Sequence, residues 1–256
     1  MKAYLEPKYK PINELSKPRL RELVKSTHLN HLMLVCDGNR RWARKMGYQP
    51  SDGHRRSFGY LMENLVSDLI DLDIHTISMY CASTYNMVKR DKGELSIGMG
   101  IIEVMIRSIT PIAMSNNVRF IHLGRKDRIT KTLRNTVEEV ERITKSHEKH
   151  VLNFAMDYSG EDETIRAIKR LVAKNVRPEE IQTETIENEL DTAGQRYPNI
   201  DLVIRPAGAT RLSGLSFWQS IFSELYFSDL LFPEFSGDVL EEAIMDFSSR
   251  KRRFGS

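Results

Sequence analysis

The sequence has few cysteines, no long uninterrupted apolar run and no strong charge of one sign. Its 256 residues include only two cysteines, Cys36 and Cys81, each at the end of a strand-like run. A disulfide framework is therefore excluded, and two reduced, buried thiols are expected. No apolar run approaches the roughly 18 residues that span a bilayer, and the opening MKAYLEPKYKPINEL lacks the hydrophobic region of a secretory signal. We therefore expect a soluble, cytoplasmic protein with no transmembrane segment.

The charge balance argues against a nucleic-acid partner. Lysine and arginine number 38 against 35 aspartates and glutamates, an excess of three, and they are scattered except near the two ends of the chain. Such a weak excess predicts local clusters that bind phosphate groups rather than a track for a polyanion. The chain shows no internal repeat and no low-complexity tract, and its 40% hydrophobic content is enough to bury the core of one large domain.

The order of apolar and amphipathic segments predicts an α/β fold. Strands are predicted at 30–36, 75–81, 118–123, 151–156 and 200–204, and helices at 12–26, 53–72, 95–114, 127–148, 161–174 and 183–190. Strands that alternate with helices imply right-handed parallel crossovers. We expect a single-domain sandwich with a central, mainly parallel six-stranded sheet flanked by helices, spanning residues 29–256 and preceded by an amino-terminal arm at 1–28.

The stretch from His31 to His54, HLMLVCDGNRRWARKMGYQPSDGH, carries the strongest chemical signal. A buried strand that stops at Asp37 puts a carboxylate at the carboxyl edge of the sheet, where open α/β folds bind ligands. Asp37 suits a hard cation such as Mg2+, and Gly38 lets backbone N–H groups approach phosphate. Arg40 and Arg41 add fork-shaped donors for the same anion. A helix cap beside a solvated arginine face explains these residues about equally well from the pattern alone.

Residues 82–94, ASTYNMVKRDKGE, are predicted to form a long polar loop at the same edge of the sheet. Ser83, Asn86 and Arg90 are placed there to reach a second anion. The helix predicted after it, at 95–114, has almost no polar face, so it is either wholly buried or lies between the core and an apolar ligand.

A third polar segment, RPAGATRLSGLSFWQ, follows the strand at 200–204. Arg205 and Arg211 flank a turn, and Ser213 is predicted to start the next helix. Two arginines and a hydroxyl on one loop suit a second diphosphate. A surface loop with one arginine in a salt bridge is an equally good interpretation of the spacing.

The string DGNRRWA, followed by Gly47 and by Gly53-His54, resembles the signature of the cis-prenyltransferases, the undecaprenyl and dehydrodolichyl diphosphate synthase family. The segments RPAGATRLS, SELYF and RRFGS resemble later family segments in the same order, so the resemblance runs from about residue 31 to 256. It implies a dimeric, Mg2+-dependent enzyme that joins an allylic diphosphate to an isoprenyl diphosphate. The implied site is a cleft at the sheet edge that opens into an apolar tunnel.

The resemblance also implies roles for single residues. It makes Asp37 the catalytic and metal-binding carboxylate, Asn86 a proton-handling residue and Glu224 a second metal-associated carboxylate. The implied substrate-binding residues are Gly38, Asn39, Arg40, Arg41, Trp42, His54, Ser83, Arg90, Arg205, Arg211, Ser213, Arg253 and Gly255. The last two are expected to complete a site across the dimer.

The sequence departs from the family pattern mainly around the second substrate. The family's F-S-S-E-N-W-N-R-P is here ASTYNMVKR, and a phosphate-binding arginine is replaced by Pro50. The first glycine of the later loop is Ala207, and its Glu-His pair is Ala209-Thr210. The absent histidine weakens the assignment of Glu224 as a metal ligand. We infer that the chain keeps the residues that ionise the allylic diphosphate. The residues that bind the second substrate, which acts as the nucleophile, differ from those of the family.

These departures favour a short or irregular product. Lavandulyl-type synthases couple two diphosphates head-to-middle, and they resemble this sequence in having alanine where Ala209 stands. The first alternative is a regular head-to-tail polyprenyl synthase that uses isopentenyl diphosphate. The second is a non-catalytic partner subunit, which the presence of Asp37 and Arg41 argues against, because such subunits lack the Asp-Gly-Asn site.

Overall fold

A parallel six-stranded sheet organises the computed structural model, which describes residues 9–252 apart from the side chain of Tyr60. The strands are β1 (His31–Val35), β2 (Thr76–Ser83), β3 (Val118–Leu123), β4 (His150–Tyr158), β5 (Leu202–Arg205) and β6 (Glu224–Phe227). Their order is β3-β4-β2-β1-β5-β6, and every neighbouring pair is parallel. The predicted α/β fold is confirmed.

Helices cover both faces of the sheet. They are α1 (Lys17–Ser26), α2 (Asn39–Lys45), α3 (Pro50–Arg56), α4 (Met62–Asp71), α5 (Thr84–Lys89), α6 (Lys92–Ser115), α7 (Lys131–Thr144), α8 (Gly160–Ala173), α9 (Thr183–Glu187), α10 (Phe217–Ser220) and α11 (Gly237–Ser249). All residues of β1 and β4 are buried, as expected for strands with helices on both faces.

Three elements differ from the prediction. Residues 82–94 contain α5, because the Ser83 hydroxyl caps that helix by accepting a hydrogen bond from the backbone N–H of Asn86 at 3.1 Å. The sixth strand lies in SELYF, where the half-buried edge strand β6 has no alternating apolar pattern that would reveal it. Ser213 does not begin a helix, since it has a left-handed φ of 53° and α10 starts only at Phe217.

Helix α6 combines length with an apolar composition. It has 24 residues and is the one helix, within residues 9–252, long and apolar enough to cross a membrane by length and composition. The search of the sequence for uninterrupted apolar runs did not reveal it, because this test uses the mean hydropathy of the helix. Core helices of soluble proteins pass the same test, and α6 buries Met99, Ile102, Met105 and Ile106 in the core beside the sheet.

The described part of the amino-terminal arm is tied to the body. The backbone N–H of Ile12 donates to Asp68 of α4 at 3.0 Å, and Gly237 of α11 donates its N–H to the carbonyl of Lys10 at 2.7 Å. Residues 1–8 of the predicted arm lie outside the described residues.

Candidate functional site

The carboxyl ends of β1, β2 and β5 border a cleft of about 1030 Å³. Because parallel strands end at the same edge, the segments that follow them meet there although they are far apart in the chain. Twelve of the predicted site residues line this cleft, namely Asp37, Gly38, Asn39, Arg40, Arg41, His54, Ser83, Asn86, Arg90, Arg205, Arg211 and Ser213.

Asp37 lies between two arginines in this cleft. Its Oδ2 accepts a hydrogen bond from Arg205 Nη2 at 3.2 Å, and its Oδ1 lies 3.4 Å from Arg41 Nη2. Oδ1 also accepts a hydrogen bond from the backbone N–H of Gly38 at 2.7 Å. The Asp37 side chain is 34% exposed, so a carboxylate with fixed orientation still faces solvent in the cleft.

The turn that carries Asp37 requires Gly38. The φ of Gly38 is 100°, and a Cβ there would lie 2.9 Å from Leu231 Cδ2 and 3.1 Å from Ala207 Cβ. Asn39 stabilises the same turn through two side-chain hydrogen bonds. Its amide donates to the Cys36 carbonyl at 2.9 Å and accepts from the Ser57 hydroxyl at 2.5 Å, so both ends of the side chain bind protein groups.

Arg205 is anchored by the loop that follows β5. Its side chain is 6% exposed, and Nη1 donates to the Ser213 hydroxyl at 3.0 Å and to the Arg211 carbonyl. Ala207 and Ser213 both adopt left-handed φ values, 79° and 53°, which curl the loop back onto this guanidinium. The loop therefore aims Arg205 at Asp37 and leaves the exposed Arg211 at the rim.

Below the cleft lies a much smaller apolar cavity of about 30 Å³. Its apolar lining includes Phe58, Met87, Met99, Ile102 and Met156. His54, Cys81 and Arg90 line both spaces, so the two lie on opposite sides of these residues. Burial, together with the positive charges of Arg90 and Arg40, lowers the pKa of His54 to about 4, so the imidazole is neutral at pH 7.

Of the four other predicted site residues, the two that lie within residues 9–252, Trp42 and Glu224, do not line the cleft. Trp42 is buried beneath the Arg56 guanidinium, which lies 4.9 Å from its ring centroid. Glu224 begins β6 beside Leu202, at the amino end of the parallel sheet, whereas Asp37 follows the carboxyl end of β1. Within one chain Glu224 therefore does not join Asp37, and its Oε2 accepts a hydrogen bond from Arg250 Nη1 at 2.8 Å. Arg253 and Gly255 lie outside the described residues.

The sequence analysis missed several residues that line the cleft. Arg44 lies one turn after Arg40 and Arg41 on α2, a helical spacing that would have revealed it. Glu161 and Asp162 follow the carboxyl end of β4, and Ile165 lies one turn further along α8. Their place after a strand was the available signal, because the same rule identified Asp37.

The donor set in the cleft fits Mg2+. This ion is usually held by one or two carboxylates together with substrate phosphates and water, rather than by a complete protein cage. Asp37 supplies one partly exposed carboxylate in a cleft lined by arginines. Within the described residues no group of three or more His, Cys, Asp or Glu side chains is positioned to hold a metal alone. The site thus fits a cation shared with a bound diphosphate.

Comparisons with known proteins agree with this architecture. Residues 35–255 match the model of the undecaprenyl diphosphate synthase family of prenyltransferases. The chain is 36% identical over 239 residues to dehydrodolichyl diphosphate synthase 3 of Arabidopsis thaliana, covering 91% of this chain and 78% of that protein. It is 36% identical over 225 residues to an isoprenyl transferase of Aquifex aeolicus, covering 88% of this chain and 95% of that one.

A solved structure extends the similarity to three dimensions. The crystal structure of lavandulyl diphosphate synthase from Lavandula x intermedia, in complex with dimethylallyl diphosphate, superposes with a TM-score of 0.86 at 29% identity. The match covers 90% of this chain and 100% of the other. The chain therefore belongs to the cis-prenyltransferase family and is a prenyltransferase enzyme.

Proposed function

We propose that the protein is a Mg2+-dependent prenyl diphosphate synthase that couples an allylic diphosphate to a second C5 diphosphate. The product is short or irregular, of the head-to-middle, lavandulyl type. The observation that carries the proposal is the Asp37–Arg205 pair, 3.2 Å apart in an arginine-lined cleft directly above an apolar cavity of about 30 Å³.

The cleft has the charge that an allylic diphosphate requires. Arg41 and Arg205 flank Asp37, and together with Arg40 they offer donors to phosphate oxygens in the cleft. Arg90 lines both the cleft and the apolar cavity. Asp37 is the residue that would hold Mg2+, which when bound neutralises charge on the departing diphosphate. The arginines stabilise the same developing charge without moving.

The residues around the apolar cavity suit the carbon–carbon step. Apolar walls keep water from the allylic cation, and the diphosphate contacts hold the reacting carbons in place. Asn86 lines the neighbouring cleft, and its Oδ1 accepts a hydrogen bond from Arg90 Nη2 at 3.2 Å, which orients the amide. We infer that Asn86 handles the proton lost in the last step.

Two observations favour a short product over a long one. The apolar cavity is lined by bulky side chains, including Phe58, Met99 and Ile102, which limit the length of chain that it can hold. Ala209 is buried and lacks the carboxylate that regular family members have there, so the second diphosphate is held differently. The similarity to lavandulyl diphosphate synthase supports the irregular reaction. The alternative, regular extension with isopentenyl diphosphate, is favoured by relatives named dehydrodolichyl diphosphate synthase and isoprenyl transferase.

An exposed apolar surface supports a homodimer. It comprises Ile165, Ile168 and Val172 on one stripe of α8, with Phe217, Ile221 and Phe222 at and after α10. Helix α10 lies against α8, because Trp218 Nε1 donates to the Thr164 hydroxyl at 3.0 Å. Exposed apolar side chains on two packed helices that precede the edge strand β6 are typical of a protein interface.

A location in the cytoplasm is proposed from the cysteine content, because two cysteines are too few for the disulfide framework typical of secreted proteins.

The experiment is an incubation of purified protein and Mg2+ with dimethylallyl diphosphate, with and without isopentenyl diphosphate, followed by mass spectrometry of the dephosphorylated product. We expect a C10 alcohol from dimethylallyl diphosphate alone. Product that forms only with isopentenyl diphosphate would establish the regular reaction instead. Absence of turnover under all conditions would favour the non-catalytic subunit.

A further inference from the structure

Four side chains form a neck between the cleft and the apolar cavity. Arg40 lines the cleft, Glu94 lines the apolar cavity, and His54 and Arg90 line both. The neck therefore contains two cations, one carboxylate and one neutral imidazole. Any substrate with a diphosphate head and a prenyl tail must pass this group, because its head and tail belong in different spaces.

The contact between Arg40 and Glu94 is an ion pair without a hydrogen bond. Arg40 Nε lies 3.4 Å from Glu94 Oε1, and both atoms are buried with no hydrogen-bond partner among the described residues. Buried charged atoms with unfilled hydrogen-bonding capacity are costly. A phosphate oxygen would give Arg40 a charge-assisted hydrogen bond of better geometry, so a diphosphate competes directly with Glu94.

The apolar cavity requires movement before a substrate tail can enter. Its volume of about 30 Å³ admits one water molecule, which is far less than a five-carbon chain occupies. One wall is built by the amino-terminal half of α6, through Leu95, Gly98, Met99 and Ile102. Glu94 is in the first turn of the same helix. A displacement of Glu94 therefore acts on the wall that closes the cavity.

We propose that Glu94 is a positioning residue that holds the neck closed through its ion pair with Arg40, until a bound diphosphate replaces Glu94 as the partner of Arg40. The bound diphosphate then repels the Glu94 carboxylate, and the start of α6 shifts so that the prenyl tail can enter. This inference rests on the proposed function, since it assumes that the cleft binds a diphosphate. It makes binding of the head and of the tail mutually favourable, as thermodynamic linkage requires.

The experiment tests the diphosphate head and the prenyl tail of the substrate as two separate ligands. Inorganic diphosphate with Mg2+ serves as the head, and dimethylallyl alcohol, which carries no charge, serves as the tail. Ligand-observed NMR gives the affinity of the alcohol with and without saturating diphosphate, and calorimetry gives the affinity of diphosphate. In the wild-type protein we expect diphosphate to raise the affinity of the alcohol at least about fivefold, the lower end of typical coupling between sites.

Glu94→Gln keeps the shape of the side chain and removes its charge. We expect the Glu94→Gln protein to bind diphosphate more tightly than the wild type and to bind the alcohol well without diphosphate. Its affinity for the alcohol should then be nearly the same with and without diphosphate. Glu94→Asp, which keeps the charge, should restore part of the coupling. The matched control is Glu103→Gln on the same helix, since Glu103 pairs with Arg107 at 3.1 Å and lines neither space. It should keep the wild-type coupling.

The outcomes are distinguishable. A wild-type protein that does not bind diphosphate would contradict the proposed function itself. Diphosphate binding without coupling, or equal coupling in the wild type and Glu94→Gln, would overturn the role of Glu94 and leave the proposed function standing.

Discussion

Arg205 Nη2 and Asp37 Oδ2 lie 3.2 Å apart although 168 positions separate the two residues in the chain. The contact exists because β5 pairs in parallel with β1, so the residues at the carboxyl ends of both strands share one edge. Arg205 is almost completely buried, and its Nε makes no hydrogen bond in the described part of the chain. The pair is therefore a preformed site in which Arg205 Nε can still donate a hydrogen bond.

The first prediction concerns the carboxylate of this pair. Asp37→Asn keeps the size of the side chain but removes the charge that would hold Mg2+ and that faces Arg205 and Arg41. We expect kcat to fall by about 10²- to 10³-fold, the usual loss when one preorganised electrostatic group is removed. Steady-state assays at saturating Mg2+ measure this. Asp127→Asn, at an exposed acid outside the cleft, should leave kcat unchanged, and a near-normal rate for Asp37→Asn would contradict the assignment.

The second prediction separates backbone strain from steric conflict. Gly38 and Gly47 both have left-handed φ values, 100° and 72°, but only Gly38 has neighbours where a Cβ would be built. Gly47→Ala should lower the free energy of unfolding by about 1–2 kcal/mol through strain alone. Gly38→Ala should lower it further, because its Cβ meets Leu231 and Ala207. Urea unfolding compares the two, and equal losses would contradict the close approach at Gly38.

Buried histidines predict a loss of stability in mild acid. Burial lowers the pKa of His31, His54 and His122 to about 4, against about 6.5 in an unfolded chain. Because the unfolded state takes up these protons first, the stabilisation is complete above about pH 6.5 and is lost as pH falls towards 4. Each histidine adds up to about 1.4 kcal/mol per pH unit to the slope.

His122 allows a clean test of this slope. Both of its ring nitrogens are buried, and His122→Leu removes the titrating group. We expect the unfolding free energy of His122→Leu to depend less steeply on pH between 6.5 and 4. The slope should fall by up to about 1.4 kcal/mol per pH unit, which corresponds to one proton. The exposed His28, replaced by Asn, should keep the wild-type slope. Identical slopes in all three proteins would contradict a neutral, buried His122.

The size of the apolar cavity predicts a change in product. Met99→Ala removes a bulky side chain from its wall, so we expect the enzyme to accept geranyl diphosphate better and to form longer products. Met105→Ala is the matched control, since Met105 is buried on the same helix but does not line the cavity. Both changes should cost about 2–5 kcal/mol of stability. Mass spectrometry of the products decides, and the same product from both variants would contradict the role of Met99.

The exposed apolar surface on α8 and α10 predicts self-association. Ile168→Glu places a charge in this surface and should shift a dimer towards monomer in sedimentation velocity. Val104→Glu alters an apolar residue that is 63% exposed on α6, away from the surface, and should have no effect. A wild-type protein that stays monomeric at micromolar concentration would contradict the dimer.

Several features of the fold and the site followed from local pattern. The apolar run before Asp37 predicted β1, and the resemblance to the family implied that Asp37 and Arg205 bind substrates in one cleft. Other features did not follow. Residues 82–94 were predicted to be a loop because α5 is polar and has no buried residue that would mark a helix face. The strand β6 has no alternating pattern because this edge strand is only half-buried.

The position of Glu224 could not be predicted from the sequence. The resemblance of SELYF to a family segment implied a metal-associated carboxylate, and the direction of β6 puts it at the amino end of the sheet beside Arg250. Likewise, nothing in the pattern pairs Arg40 with Glu94, because their contact depends on where the start of α6 lies relative to α2 in the folded chain.

The amino-acid sequence by itself determined the fold class, the family and the carboxylate around which the cleft is built, because each depends on local periodicity or on a contiguous string of residues. Only the tertiary structure decided which charged groups face one another, which end of the sheet each occupies and how little room the apolar cavity leaves. Those properties arise from the register and packing of segments distant in the chain, and no local pattern encodes them.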